Sequence, residues 1–327
     1  MTALLDPAVL FFIVGLFAGL VRSNLEIPPA ISRFLALYLL MALGLKGGLS
    51  LAETGLTYEV GMSLLLAIVL AGLVPVVGFF ILRPLTTPFN AIAVAATYGS
   101  VSAVTFITAN QFLDINGVQH GGHMAAAMAL MESPAIILAV VLANLVRKGR
   151  LGGPEGQATA PHPGGVMSVL HESFTDGAQL LLLASMVIGF YMGPEGAAAM
   201  KPFSADLFKG MLAFFLLDMG LMAARNLGAL RGQSVLLLGY AVAAPLVHAA
   251  LALLLCKAVG LGLGDATLLA VLAASASYIA VPAVLREAIP EAQASVYVGL
   301  SLGITFPLNI LFGIPLYLAA ARWLLGS

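Results

Sequence analysis

Apolar residues along this chain fall into long runs separated by short charged or Gly/Pro-rich breaks, and the runs predict ten helical spans. They lie at about 8–22, 28–47, 58–82, 90–112, 122–146, 174–193, 204–223, 233–260, 265–288 and 292–323. Most reach the roughly 20 residues that carry an α-helix across a hydrocarbon core. Pro, Gly and small residues occur inside the runs, and the dyad alternation of a membrane barrel is missing, so helices are expected rather than strands. No cleavable signal peptide is expected, because the first run lacks a basic n-region and ends at Arg22 without a small-residue cleavage pattern.

The largest hydrophilic gap, 147–173, holds Arg147, Lys148 and Arg150 followed by GGPEGQATAPHPGG. It divides the chain into a first five-helix unit (1–147), a cytoplasmic linker (148–173) and a second five-helix unit (174–327). The units resemble each other in order. LALYLLMALGLKGG (35–48) matches MLAFFLLDMGLMAA (211–224), and GLVPVVGFFI (72–81) matches VAAPLVHAAL (242–251). AVAATYGSVSAV (93–104) matches VLAASASYIAVP (271–282), and MESPAI (131–136) matches ITFPLN (304–309). Five is odd, so the second copy enters the membrane from the opposite side, the inverted repeat on which many secondary transporters are built. The blander reading is a membrane scaffold that keeps an old duplication. With the linker in the cytoplasm, nine Lys/Arg fall on that side and five on the other, which places both termini outside.

Composition narrows the class. The 327 residues are 61% apolar and 9% charged, with mean hydropathy +1.05. A soluble domain carries about 25% charged residues, so a soluble enzyme is excluded and a polytopic membrane protein is expected. A net charge of −1 with 14 Lys+Arg excludes a nucleic-acid partner. A single cysteine, Cys256, excludes a disulfide framework or a thiolate metal cluster. No nucleophile elbow, Walker A loop or HExxH motif is present, and no enzymatic activity is expected.

The scarce polar residues inside the spans are therefore informative. Span four carries TYGSVSAVT (97–105), and span nine carries SASYIAVP (275–282) at the matching repeat position. Gly99 and Pro282 each weaken a helix locally. Two unwound, crossing helices would aim N–H groups and positive dipole ends at an anion, and carbonyls and hydroxyls at a cation. Gly99, Ser100, Ser102, Ala103, Ser277, Tyr278 and Ala280 are the expected substrate contacts. Thr97, Thr105, Glu132, Ser275 and Asn309 are the expected cation contacts, with Na⁺ as coupling ion and no other metal or cofactor. The competing view is ordinary Ser/Thr packing between membrane helices. Glu132 and Asp218 are intramembrane acids, which mark ion paths by default. For Asp218 a helix–helix contact competes equally, and Pro134 is expected to free backbone groups beside Glu132. Thr305 and Asn309 form a neutral counterpart in span ten. His120 and His123 have metal-like spacing but no third ligand nearby in sequence, and Lys46 is expected to cap the outer end of span two. His248 is expected to be a packing residue, and Arg286 and Glu287 to snorkel.

The order IPPAISRFLALYLLMALGLKGG, YGSVSAVT, LMESPAIILAVVLANL and AVLAASASYIAVPAVLREAIPEAQASVYVGLSLG resembles the SbtA-type sodium-dependent bicarbonate transporters over nearly the whole chain. The resemblance implies ten helices in inverted repeats, crossed discontinuous helices at spans four and nine, and a core plus a gate domain assembled as a homotrimer. It implies bicarbonate uptake with Na⁺ and a small PII-like regulator on the cytoplasmic face. It supports Gly99, Ser100, Ser102, Thr105, Glu132, Ser275 and Ser277 as site residues. The chain departs from the family at Ser277-Tyr278-Ile279-Ala280-Val281-Pro282, where Ser-Asp-Ile-Ser-Gly-Pro is typical. The leading expectation is a secondary transporter of a small anion, bicarbonate with Na⁺. Alternatives are another small anion coupled to H⁺ through Glu132, and a non-transporting membrane receptor or scaffold.

Overall fold

The computed structural model describes residues 6–148, 151 and 176–326, and every regular element within them is helical. Helix starts follow local chemistry. Asp6 accepts from Ala8 N at 2.8 Å ahead of Pro7, which opens α1 (Pro7–Leu20). α2 (Pro29–Thr54) and α4 (Pro88–Gly99) also begin on proline, where a missing N–H costs nothing. Thr57 caps α3 (Tyr58–Leu82) and Asp176 caps α7 (Gly177–Tyr191) through their side-chain oxygens. The remaining helices are α5 (Ala103–Ile115), α6 (Met124–Arg147), α8 (Gly193–Lys201), α9 (Phe208–Asn226), α10 (Val235–Val259), α11 (Leu263–Ala274), α12 (Ala280–Ala288), α13 (Ala294–Leu300) and α14 (Ile314–Leu325).

Seven helical stretches among the described residues are long and apolar enough to cross a membrane: Pro29–Thr54, Tyr58–Leu82, Pro88–Ile115, Met124–Arg147, Glu195–Leu230, Val235–Val259 and Ala294–Leu325. Three shorter apolar helices, Pro7–Leu20, Gly177–Tyr191 and Leu263–Ala274, accompany them. The chain is an integral, polytopic, all-helical membrane protein.

Close helix pairs are built on glycine. α1 lies along α9, and α2 lies along α7. A Cβ added at Gly15 would stand 2.0 Å from the Leu217 carbonyl oxygen, and one at Gly48 would stand 1.9 Å from that of Met186. Without a strong hydrophobic drive between helices in lipid, such backbone approach supplies the packing. A second body gathers α3, α4 and α6, with α10 against α11. The end of α6 is tied to the loop after α12: Arg147 donates to both carboxylate oxygens of Glu291, at 2.9 and 2.8 Å, and to the Ala288 carbonyl at 3.0 Å.

Several expectations need correction. α2 runs to Thr54 rather than 47, because Gly47 and Gly48 are buried in its packing seams and keep the helix going. Lys46 is thus inside the helix, paired with Asp114 of α5 at 2.5 Å, and caps no end. Pro134 lies within an α6 that runs on through it, so no break opens there, and the group it leaves without a helical donor is the Leu130 carbonyl. Pro282 is the third residue of α12, where the missing N–H has no acceptor to lose; the break itself precedes it. Span seven is entered through α8 and a π-helical stretch, Pro202–Asp206. Span ten passes through two more, Ser301–Thr305 and Asn309–Gly313. Of 148–173, Lys148 and Leu151 belong to the described residues and the rest lies outside them.

Candidate functional site

The two breaks meet. α4 stops at Gly99, whose Cα side abuts the Pro75 ring: a Cβ there would lie 2.5 Å from Pro75 Cδ. Ser100 and Ser102 are extended, and Ser102 caps α5 by accepting from Thr105 N at 3.2 Å. α11 stops at Ala274, Ser275 is extended, and α12 resumes at Ala280. The strands of backbone between these ends bond to each other. Ser277 N donates to Thr97 O at 2.8 Å, and Ser102 N donates to Ser275 Oγ at 2.9 Å.

Unwinding strands backbone groups that buried helices would otherwise pair, and the neighbouring polar side chains take them up. Asn309 Nδ2 donates to the Ala274 carbonyl at 2.8 Å, while Tyr317 OH donates to Asn309 Oδ1 at 2.8 Å. Thr105 Oγ1 donates to Ser102 Oγ at 3.0 Å, and Thr97 Oγ1 returns to Ala93 O at 2.7 Å. Thr305 meets the Tyr98 hydroxyl at 2.5 Å and donates to Ala241 O at 2.8 Å. Ser100 Oγ is buried with no partner among the described residues.

A cavity of about 310 Å³ opens at the N-terminal ends of α5 and α12. Ser102, Ala103, Ser277, Tyr278, Ala280 and Glu132 line it together, although they come from three helices far apart in sequence. Gly99, Ser100, Thr97, Thr105, Ser275 and Asn309 do not line it. The N–H groups of Ala103 and Ala280 open their helices and have no acceptor in them, so they present an anion with donors and positive helix ends. Ser277 Oγ accepts from Val281 N at 3.2 Å, which leaves its own proton to donate.

The structure adds two residues to this wall. Gln179 Nε2 donates to Glu132 Oε2, joining α7 to α6, and Asp176 lines the same cavity while capping α7. Gln179 stands alone among apolar residues in AQLLLLA, a signal that was there to read. Tyr278 is buried, its hydroxyl 3.6 Å from Met219 Sδ and its ring centroid 5.1 Å from that of Phe306. Asp218, beside Met219, is buried outside the cavity with one carboxylate oxygen unpartnered among the described residues. His248 lies in α10, away from the cavity lining.

A second, polar cavity of about 640 Å³ sits at the C-terminal end of α5. Asp114 there pairs with Lys46 at 2.5 Å and with His120 Nε2 at 3.1 Å. His123 instead faces Asp265, at 3.4 Å, whose other oxygen accepts from Gly121 N at 2.6 Å. Burial holds the His123 imidazole below its ordinary value against the opposing pull of Asp265 and Glu59. The two histidines thus serve different acids. No group of three or more His, Cys, Asp or Glu among the described residues could hold a metal ion.

No curated protein matches the chain. The family model of the Na⁺-dependent bicarbonate transporter superfamily matches residues 7–322, a stretch that includes both helix breaks, Glu132 and Gln179. By that match the chain belongs to the Na⁺-dependent bicarbonate transporter superfamily, a transporter family and not a class of enzymes.

Proposed function

We propose that the chain is a secondary transporter of a small anion, bicarbonate in the first instance, that moves with Na⁺. The observation that carries this reading is the reciprocal bonding of two helix breaks, Ser277 to Thr97 and Ser102 to Ser275, beside a cavity with N–H groups at its end. Discontinuous helices crossing near the middle of a membrane are the recurrent site of such transporters. The anion's oxygens lie against the hydroxyls of Ser102 and Ser277 and the N–H groups of Ala103 and Ala280. Glu132 holds the cation at the cavity wall, and Thr97, Thr105, Ser275 and Asn309, outside that lining and bonded to neighbouring groups, brace the breaks around it.

The architecture that fits is ten spans in two inverted five-helix units, 1–147 and 174–327, joined by a cytoplasmic linker. Both termini lie outside a bacterial inner membrane. α1, α2, α7 and α9 form a gate body, and the crossed helices move against it as a core. A homotrimer and a small PII-like regulator on the linker face complete the assembly.

Coupling to H⁺ is the second reading. Two carboxylates, Glu132 and Asp176, line the cavity, and Tyr278 puts no acid at the second break. Uptake of radiolabelled bicarbonate into proteoliposomes, under imposed Na⁺ or pH gradients, separates the two. Acceleration by inward Na⁺ supports symport with Na⁺, and acceleration by an inward proton gradient alone supports H⁺. No uptake under either gradient overturns the bicarbonate reading.

A further inference from the structure

The cavity is larger and more apolar than bicarbonate needs. At about 310 Å³ it is at the size where small organic ligands begin to fit. Bicarbonate has only four heavy atoms and would occupy its polar end alone. Water filling the remainder would need two to four polar partners per molecule, and that wall offers few. Leu40, Ile107, Met128, Leu182 and Phe215 line it, as do Val101, Val104 and Ile136. At the mouth Ile279, 56% exposed, lays an aliphatic side chain open to the same space. No Lys, Arg or His is among the described residues that line it.

Apart from Gln179, whose amide is bonded to Glu132, and the Tyr278 hydroxyl, the polar donors of this wall lie at the starts of α5 and α12 with Ser102 and Ser277. A site built in this way recognises a charged head by hydrogen bonds and a body by exclusion from water. Without a fixed cation, a single carboxylate is the anion it can hold, because a second negative charge would lie in the apolar part unpaired. The two carboxylates in the wall disfavour dianions further.

We infer that this site takes a monocarboxylate with an apolar body, its carboxylate at the Ser102–Ala103 and Ser277–Ala280 ends and its aliphatic part against Leu40, Ile107, Met128 and Phe215. Bicarbonate fills only the head of such a site. The inference rests on the reading that this cavity is the transport site, and it specifies the substrate class.

The test is a homologous series on the purified full chain: bicarbonate, acetate, propionate, butyrate and isovalerate, each as the sodium salt. Ligand-dependent thermal stabilisation reports affinity, because a ligand of the folded state raises the melting temperature. Uptake into proteoliposomes reports transport. Binding should tighten about fourfold per added methylene, and isovalerate should be taken up and compete with labelled bicarbonate. Ala178→Phe, which fills the cavity from α7, should abolish isovalerate binding. Bicarbonate uptake with flat affinity along the series and no competition overturns the inference and leaves the bicarbonate reading standing. Neither binding nor uptake of any member overturns both. Isovalerate binding undiminished in Ala178→Phe places the body elsewhere and also overturns it.

Discussion

The backbone N–H of Ser277 donates to the carbonyl oxygen of Thr97 at 2.8 Å, so each helix break completes the other. The return bond, Ser102 N to Ser275 Oγ at 2.9 Å, depends on one hydroxyl, which itself donates to Leu272 O at 2.8 Å. Ser275→Ala leaves a buried N–H without its acceptor, a cost of about 1–3 kcal/mol. A lower melting temperature and slower uptake are expected. An unchanged melting curve would show that the two breaks hold their geometry without this bond.

Glu132 and Gln179 join helices from the two halves of the chain within the wall of the cavity. If Glu132 binds the coupling cation, Glu132→Gln should abolish the dependence of uptake on the imposed cation gradient. Gln179→Leu removes the group that orients the carboxylate. Loss of such a supporting hydrogen bond costs about 10–100-fold in cation affinity, so the cation concentration for half-maximal uptake should rise by that factor. A gradient response left intact in Glu132→Gln would move cation binding to other groups.

Backbone contact at Gly48 makes a second expectation. Gly48→Ala would place a methyl group 1.9 Å from Met186 O, a backbone atom that cannot swing aside. Overpacking of this kind costs about 1–3 kcal/mol. Gly61 in α3 has nothing within 4 Å of an added Cβ, so Gly61→Ala should be neutral or stabilising by up to about 1 kcal/mol. Thermal melts of the two variants in one detergent should therefore move apart. A shared loss of stability would assign the effect to glycine substitution in general.

His123 sets a pH dependence. Its folded-state pKa lies below the ordinary value of 6.5, chiefly through burial. The unfolded chain therefore takes up a proton that the folded one resists. The stability gained by keeping the ring neutral is complete above about pH 6.5 and is lost as pH falls through that value. Facing groups are Asp265 at 3.4 Å, with Glu59 and His120 further off. His123→Gln should flatten the melting temperature between about pH 6.5 and 5, above the range where ordinary carboxylates titrate. A slope identical to that of the parent chain in this window would assign the acid sensitivity to other groups.

Most of the fold was legible in the chain because a bilayer leaves little choice. Spans must be apolar and about 20 residues long, and the charged breaks at Arg22, Arg83, Arg231 and the Gly260–Gly262 turn fall between helices as expected. Prolines inside the runs did not interrupt them: Pro75, Pro134 and Pro245 sit inside continuous helices, as the unbroken spans 58–82, 122–146 and 233–260 implied, because neighbouring helices and local adjustments absorb a missing N–H in a membrane. The end of α2 was missed because Gly47 and Gly48 look like a stop but are buried as contact surfaces.

The candidate site divides along the same line. Hydroxyls at Thr97–Thr105 and Ser275–Ser277 are conspicuous in apolar runs, since polar groups are costly in hydrocarbon and rarely idle there. Which of them face open space was not readable. Ser102 and Ser277 line the cavity, whereas Thr97, Ser275 and Asn309 lie outside its lining, Ser275 and Asn309 bonded to backbone at the breaks and Thr97 to its own helix. Composition and periodicity by themselves determined a polytopic helical membrane protein and the two segments that unwind, because both follow from the one-dimensional cost of placing polar groups in lipid. The crossing of those segments, the pairing of Gln179 with Glu132 and the apolar breadth of the cavity were decided only by tertiary structure, because each depends on the distance between helices that are remote along the chain.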